Sequence, residues 1–213
     1  YLSEGNSVLN HFLGQIRNVN VHNDSMRFRR NIERIGEIMA YELSKELHYA
    51  PIEIQTPLGI KNTTEIKDQL VLCSILRAGL PLHLGFLNYF DSAENGFVSA
   101  FRHHPNNDDY FDILVQYQAL ADINGKNLVL VDPMLATGQS IVAVYNKLME
   151  RGTPKEIHIA VVIAAPEGIA HLEEYLPENC HLWVASLDEK LNEHSYIVPG
   201  LGDAGDLAYG EKL

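Results

Sequence analysis

Apolar residues fall along this chain in two rhythms. From residue 71 onward, short, largely apolar runs alternate with amphipathic stretches. Val71 to Leu76, Phe97 to Phe101, Leu128 to Val131, Ile157 to Ala164 and His181 to Ser186 are the runs, each of a length that suits a buried strand. Between them, Leu80 to Phe90, Ser140 to Arg151 and Glu167 to Tyr175 read as helices. In the second of these, Ile141, Val144, Tyr145 and Leu148 recur at helical spacing and build one apolar face. Arg151, Gly152 and Pro154 end it with a cation in the last turn, a glycine beyond and then a proline. Strand and helix in alternation predict an α/β fold, a parallel sheet flanked by helices. The Asn- and Asp-rich stretch from Arg102 to Asp109 reads as a loop.

The first third has a different texture. Ile32, Ile35, Met39 and Leu43 share one face of a predicted long helix from Ser25 to Leu47. Residues 49 to 70 carry Pro51, Pro57 and Gly59 among short alternating pieces, the pattern of a hairpin or arm outside the main sheet. Such an arm commonly packs on a partner subunit. After Leu187 periodicity vanishes and turn residues crowd together, which describes either a loose tail or a shaped binding loop. The expected division is a single domain over 1–213: helix and arm in 1–70, α/β core in 71–187 and a closing segment in 188–213.

Composition narrows the classes of function. With 46% apolar and 21% charged residues in a chain of 213, an ordinary globular core is expected and no disordered tract. The longest apolar stretches, Ile159 to Pro166 among them, are too short to span a bilayer, and no targeting segment is recognisable. A formal net charge of −12 argues against a general nucleic-acid surface. Small anions remain compatible if a few arginines converge. Cys73 falls inside a predicted strand and Cys180 at the edge of another, and both read as small core residues of a reducing compartment, without metal-ligand spacing. His103 and His104 with Asp108 and Asp109 sit on a polar stretch and are taken as solvated, so no protein metal cage is expected.

Candidate chemistry concentrates at Val129 to Ser140. There an apolar strand ends in Asp132, and the small-residue stretch from Ala136 to Ser140 opens a helix. Small residues let backbone wrap an anion, and the free N–H groups of a first helical turn point at it with the positive end of the helix dipole behind them. The alternative is a plain tight turn between strand and helix. Asp132 lies at the carboxyl end of its strand, where open parallel sheets place ligands, and suits hydroxyls or a cation rather than phosphate itself. Neither a Walker-type nor a dinucleotide glycine pattern follows a strand here. Arg77, directly after the strand Val71 to Leu76 and beside Ala78 and Gly79, sets a cation next to accessible backbone N–H groups. Its competing reading is an ordinary surface ion pair.

The identity of these residues adds a resemblance. Asp132 to Ser140 closely resembles the phosphoribosyl-pyrophosphate loop of uracil phosphoribosyltransferases, with Gln139 where the usual form has glycine. Ile75 to Leu80 is similar to a second segment of that family, and Leu191 to Asp206 to its uracil-binding segment almost position for position. Ala164 to Gly168, and Phe12 to Arg17 near the start, also match; physically the former is a plain strand-to-helix junction and is given no chemistry. The resemblance implies a type I phosphoribosyltransferase fold with a small carboxyl-terminal hood. It implies transfer of ribose 5-phosphate from phosphoribosyl pyrophosphate to uracil, giving UMP and pyrophosphate. It assigns the diphosphate to Arg77 and, more loosely, Arg102, with Asp132, Pro133, Met134 and Leu135 in the substrate loop. Asp132 would hold ribose hydroxyls, while Ala136, Thr137, Gly138, Gln139 and Ser140 would anchor the 5-phosphate. Tyr196, Ile197, Gly202 and Ala204 would read uracil, and Asp203, with Arg77, would be catalytic. Magnesium would arrive on the diphosphate, and a cytoplasmic homodimer or higher oligomer is implied. A second departure is Leu207, where the family usually carries Lys or Arg. The rival from another class is a regulatory protein on this fold that binds nucleotide and RNA, against which the acidic composition weighs.

Overall fold

The computed structural model describes residues 1–103 and 112–211, and the backbone alone for 101–103 and 112. A single 3-10 turn leads to α1 (Val8–Arg17) and α2 (Ser25–Ser44), followed by the antiparallel hairpin β1 (Tyr49–Thr56) and β2 (Gly59–Ile66). Then come β3 (Leu70–Leu76), α3 (Leu80–Leu87), β4 (Glu94–His103) and β5 (Asp112–Ala119). The chain continues through β6 (Asn127–Val131), β7 (Met134–Leu135), α4 (Gln139–Met149), β8 (Glu156–Ala164), α5 (Pro166–Tyr175) and β9 (Cys180–Leu187). It closes with β10 (Lys190–Leu191), β11 (Ile197–Val198) and α6 (Ala204–Tyr209).

The main sheet has the spatial order β5-β4-β3-β6-β8, with β9 on the far side of β8. Every pairing is parallel except that of edge strand β5 with β4. Parallel strands are covered on both faces, so their side chains alternate between two cores rather than between core and water. Leu72, Val129, Val131, Ala160 and Val162 meet α2 and α3 through Ile32, Ile35, Met39, Leu82 and Phe86. Cys73, Ile75, Leu130, Ile159 and Val161 meet α4 and α5 through Ile141, Val144, Leu148 and Leu172.

The predicted strands and helices from β3 to β9 are present, with ends displaced by a few residues. Three features differ from expectation, and one open alternative is decided. Residues 1–70 hold two helices rather than one, because Leu9, Leu13 and Ile16 bury one face of α1 and a reciprocal Ser7–Asn10 capping box starts it. Arg102 and His103 belong to β4, not to a loop, while 104–109 of that expected loop lie outside the described residues. β5 is an added antiparallel edge strand. The turn-rich end is shaped, not loose: β10 pairs with β11, and Asp203 caps α6 by accepting from the Asp206 N–H at 3.0 Å.

One buried group outside the cleft sets a pH limit. His158 on β8 is 1% exposed, and the Trp183 indole donates to its Nδ1 at 3.2 Å, which places the imidazole proton on Nε2. Burial, and secondarily His181 stacked against it, hold its pKa down at about 4. Its separation from Glu156 of 3.8 Å is therefore not an ion pair at neutral pH. The unfolded chain takes up this proton from about pH 6.5, the folded chain only near 4, so stability is full above 6.5 and falls as pH drops toward 4. The loss should approach roughly 3 kcal/mol by pH 4. Urea midpoints measured at pH 7.5 and 4.5 should fall more for the wild type than for His158→Gln; equal slopes would remove His158 as the cause.

Candidate active site

The sheet switches direction between β3 and β6: β4 lies on one side of β3, whereas β6, β8 and β9 follow on the other. Ligands in open parallel sheets bind outside the carboxyl ends at such a point. A cleft of about 620 Å³ opens there. Its walls include Arg77 and Ala78 after β3, Asp132 and Met134 to Gly138 after β6, Ser140 at the start of α4, and Tyr196 and Gly202 to Gly205 from the closing segment. Three segments far apart in sequence thus share one opening.

The loop after β6 has a simple construction. β6 does not end at Asp132 but breaks there and resumes as β7 along the same neighbour, since the Pro133 carbonyl accepts from the N–H groups of Val162 and Ile163 at 3.1 and 3.0 Å. This break turns the Asp132 carboxylate into the cleft, where its Oδ1 accepts the Met134 N–H at 3.1 Å. Gly138 then takes φ +79, a left-handed conformation in which a side chain would be strained, and Gln139 begins α4. Val142 makes the first helical bond, to the Gly138 carbonyl at 3.0 Å, which leaves the N–H groups of Gln139, Ser140 and Ile141 without helical partners. An anion is the natural occupant of that end. The left-handed position belongs to Gly138, so Gln139 costs the turn nothing; its side chain is exposed and outside the cleft wall.

Two carboxylates face the cleft. Burial raises the Asp132 pKa to about 7 against the opposing Met134 N–H, and the charge of Asp203 adds to the rise. A ligand bearing hydroxyls or a hard cation relieves this crowding. Arg77 lines the same cleft, but its guanidinium is engaged: Nη2 donates to Asp206 Oδ1 at 3.0 Å and to the Gly210 carbonyl at 3.2 Å. Its Nε is buried and has no partner among the described residues. The backbone beside it is less open than expected, because the N–H of Gly79 is donated to Ile75 and that of Leu80 to Arg77.

Of the residues singled out in sequence, Arg77, Asp132, Met134, Leu135, Ala136, Thr137, Gly138, Ser140, Tyr196, Gly202, Asp203 and Ala204 line the cleft together. Pro133 is buried beneath it, and Ile197 turns its side chain into the core, leaving only its backbone for recognition. The Arg102 side chain lies outside the described residues, as do His104, Asp108 and Asp109; no grouping of metal-ligating side chains occurs among the described residues. The junction Ala164 to Gly168, given no chemistry above, supports the loop from below. A Cβ on Gly168 would stand 2.3 Å from the Ala136 carbonyl oxygen, and Glu167 Oε1 accepts the Leu191 N–H at 2.9 Å, tying α5 to the closing hairpin. Its match to the family was the only sequence signal of this role.

The fold is that of a phosphoribosyltransferase: a hypoxanthine phosphoribosyltransferase of Staphylococcus aureus superposes with a TM-score of 0.52 at 14% identity, over 88% of this chain and 84% of its own. A solved protein of Aquifex aeolicus superposes far better, with a TM-score of 0.85 at 29% identity, covering 97% of this chain and 96% of that one. The sequence profile of the uracil phosphoribosyltransferases matches residues 3–211, and the Porphyromonas gingivalis protein of that name is 51% identical over all of this chain and 98% of its own length. The chain belongs to the uracil phosphoribosyltransferase family.

The contact under the loop is testable. Gly168→Ala should cost about 1–3 kcal/mol through the clash with Ala136. Thermal unfolding measures it, and an unchanged midpoint would mean that the loop can retreat freely.

Proposed function

We propose that this chain transfers ribose 5-phosphate from phosphoribosyl pyrophosphate to N1 of uracil, giving UMP and pyrophosphate. The observation that carries the reading is the meeting, in one cleft, of the Ala136 to Ser140 turn, Arg77 and the Gly202 to Ala204 backbone. The 5-phosphate lies against the unpaired N–H groups at the start of α4, and Asp132 accepts the ribose hydroxyls. The bond from C1 of the ribose to the diphosphate breaks as the bond to uracil N1 forms, through a cation-like transition state, and the N1 proton passes to Asp203, directly or through water. Arg77 stabilises the leaving diphosphate after exchanging Asp206 for it, with Arg102 as a second cation. Backbone of Ile197, Gly202 and Ala204 beside Tyr196 donates to uracil O4 and accepts from N3–H. Cytosine, with an amino group at position 4 and no proton on N3, mismatches both contacts.

The carboxylates also fit magnesium carried on the diphosphate. Asp132 and Asp203, both lining the cleft, would offer hard oxygen atoms to it or to its water, and bound magnesium would neutralise charge on the leaving group. No covalent enzyme intermediate is needed, since holding the reactants in line supplies much of the acceleration.

The reading extends to assembly and compartment. The β1–β2 hairpin leaves Leu58 fully exposed and Ile60 66% exposed, an apolar arm suited to a second copy in a homo-oligomer. No helix among the described residues is long and apolar enough to cross a membrane. Burial pushes the Cys73 thiol up to about 12 and the Cys180 thiol to about 11, so both are unreactive in a reducing cytoplasm. The net charge of −12 leaves nucleic acid an unfavoured partner.

A spectrophotometric assay of UMP formation with magnesium tests the reading, with cytosine as the rejected base. No turnover together with measurable UMP binding would replace the enzyme by a nucleotide-binding regulator. Asp203→Asn keeps a side chain able to cap α6, so it should hold the melting temperature while lowering kcat by about 100-fold or more. Near-normal kcat would remove Asp203 from the chemistry. Gln139→Gly should leave KM for phosphoribosyl pyrophosphate within about twofold, whereas a larger change would place that side chain at the phosphate after all.

A further inference from the structure

A part-buried ion pair outside the cleft holds the segment proposed to read the base. Arg17, the last residue of α1, donates from Nη1 to Asp188 Oδ2 at 2.7 Å and from Nη2 to Asp188 Oδ1 at 2.5 Å, a two-pronged fork. The same Nη1 donates to the Gly200 carbonyl at 2.9 Å, and Nη2 reaches Ser186 Oγ at 3.3 Å. Asp188 Oδ2 in turn accepts the Gly200 N–H at 2.9 Å. Both backbone groups of Gly200 are therefore taken by one salt bridge, whose aspartate side chain is only 4% exposed.

Gly200 lies between Ile197 and Gly202, inside the stretch whose backbone would read uracil. That stretch has little secondary structure to fix it, since β10 and β11 are two residues each. Recognition by backbone donors and acceptors weakens when they turn away from the ligand, because a hydrogen bond weakens steeply with misalignment. Neither Arg17 nor Asp188 lines the cleft. We propose that Arg17, through Asp188 and Gly200, is a positioning residue that sets the geometry of the base-reading backbone and thereby uracil affinity. A lysine would keep the charge but lose the planar fork that spans Asp188 and Gly200 at once.

The inference rests on the uracil reading of the cleft, and its test separates the two. Arg17→Lys and Asp188→Asn are compared with wild type in KM and kcat for each substrate, and in hydrogen exchange of the amides of 197–204 against those of 139–142. Arg17→Lys should raise KM for uracil about tenfold while KM for phosphoribosyl pyrophosphate stays within about twofold, the size expected for losing aligned hydrogen bonds. Amides of 197–204 should exchange faster, with those of 139–142 unchanged. A pair that only staples α1 to the sheet would lower the melting temperature and leave the ratio of the two KM values unchanged, which overturns the proposal. Unchanged exchange at 197–204 overturns it as well. Wild type without uracil turnover would sink the uracil reading, while the exchange result still decides whether Arg17 sets this backbone. If Arg17→Lys does not fold, Asp188→Asn, which keeps an acceptor for the Gly200 N–H, gives the same comparison.

Discussion

The parallel pairing of β3 with β6, Leu70 to Ser74 against Asn127 to Val131, is the constraint on which the rest of the molecule depends. Parallel strands point their carboxyl ends the same way, so the turn carrying Arg77 and the break carrying Asp132 must emerge side by side. The helices that follow depart to opposite faces, α3 onto the core shared with α2 and α4 onto the other. A crevice opens between them because nothing in the sheet can fill the point where the strand order reverses. One register therefore places the two loops of the cleft before any side chain in either is chosen.

The roof of the cleft is held by a different kind of force. The closing segment adds no strand to the main sheet, and arginines from three separate parts of the chain pin it instead. Arg17 reaches the Gly200 carbonyl, Arg29 on α2 donates to the Ala208 carbonyl at 2.6 Å and lies over the Tyr209 ring, and Arg77 engages Asp206 and Gly210. Leu207 packs on the apolar core beneath. α6 has no cation of its own in its last turn, and Arg29 supplies one to that end of the helix. Ile197, Leu201, Ala204 and Ala208 anchor the segment in the core, and the charge-assisted bonds fix the glycine-rich backbone between them while Gly202 and Asp203 stay exposed toward the cleft.

What was legible in sequence follows the same physics. Strands β3, β6 and β8 announce themselves because burial on both faces forces near-continuous apolar runs, and α4 because one face must be apolar and its end carries Arg151, Gly152 and Pro154. β5 escaped because an antiparallel edge strand is only half buried: Gln116 and Tyr117 face solvent and break the run. α1 carried the spacing Leu9, Leu13 and Ile16, but it is short and has Gly14 inside it. α6 is six residues in a glycine-rich stretch, and its one local signal is the Asp203 cap. The cleft residues were legible as motifs because each loop is contiguous. The Arg17–Asp188 pair was not, since its partners are 171 residues apart and neither one alone differs from a surface charge.

A protein of net charge −12 that takes anionic substrates must place its positive potential locally. Here it does so mainly with peptide groups: the unpaired N–H groups at the start of α4 carry no formal charge, need no counter-ion and lose no side-chain entropy when a phosphate arrives. The one cleft arginine whose side chain is described, Arg77, is already neutralised by Asp206, so it can approach a diphosphate only by giving up that carboxylate. The acids work in the opposite sense. With its pKa near 7, Asp132 is partly protonated beside Asp203 at neutral pH, and a metal-bearing substrate would draw it to the ionised form. In the proposed reaction the substrate itself completes the electrostatics of the cleft, bringing the cation that the two carboxylates lack and the diphosphate that releases Arg77 from Asp206.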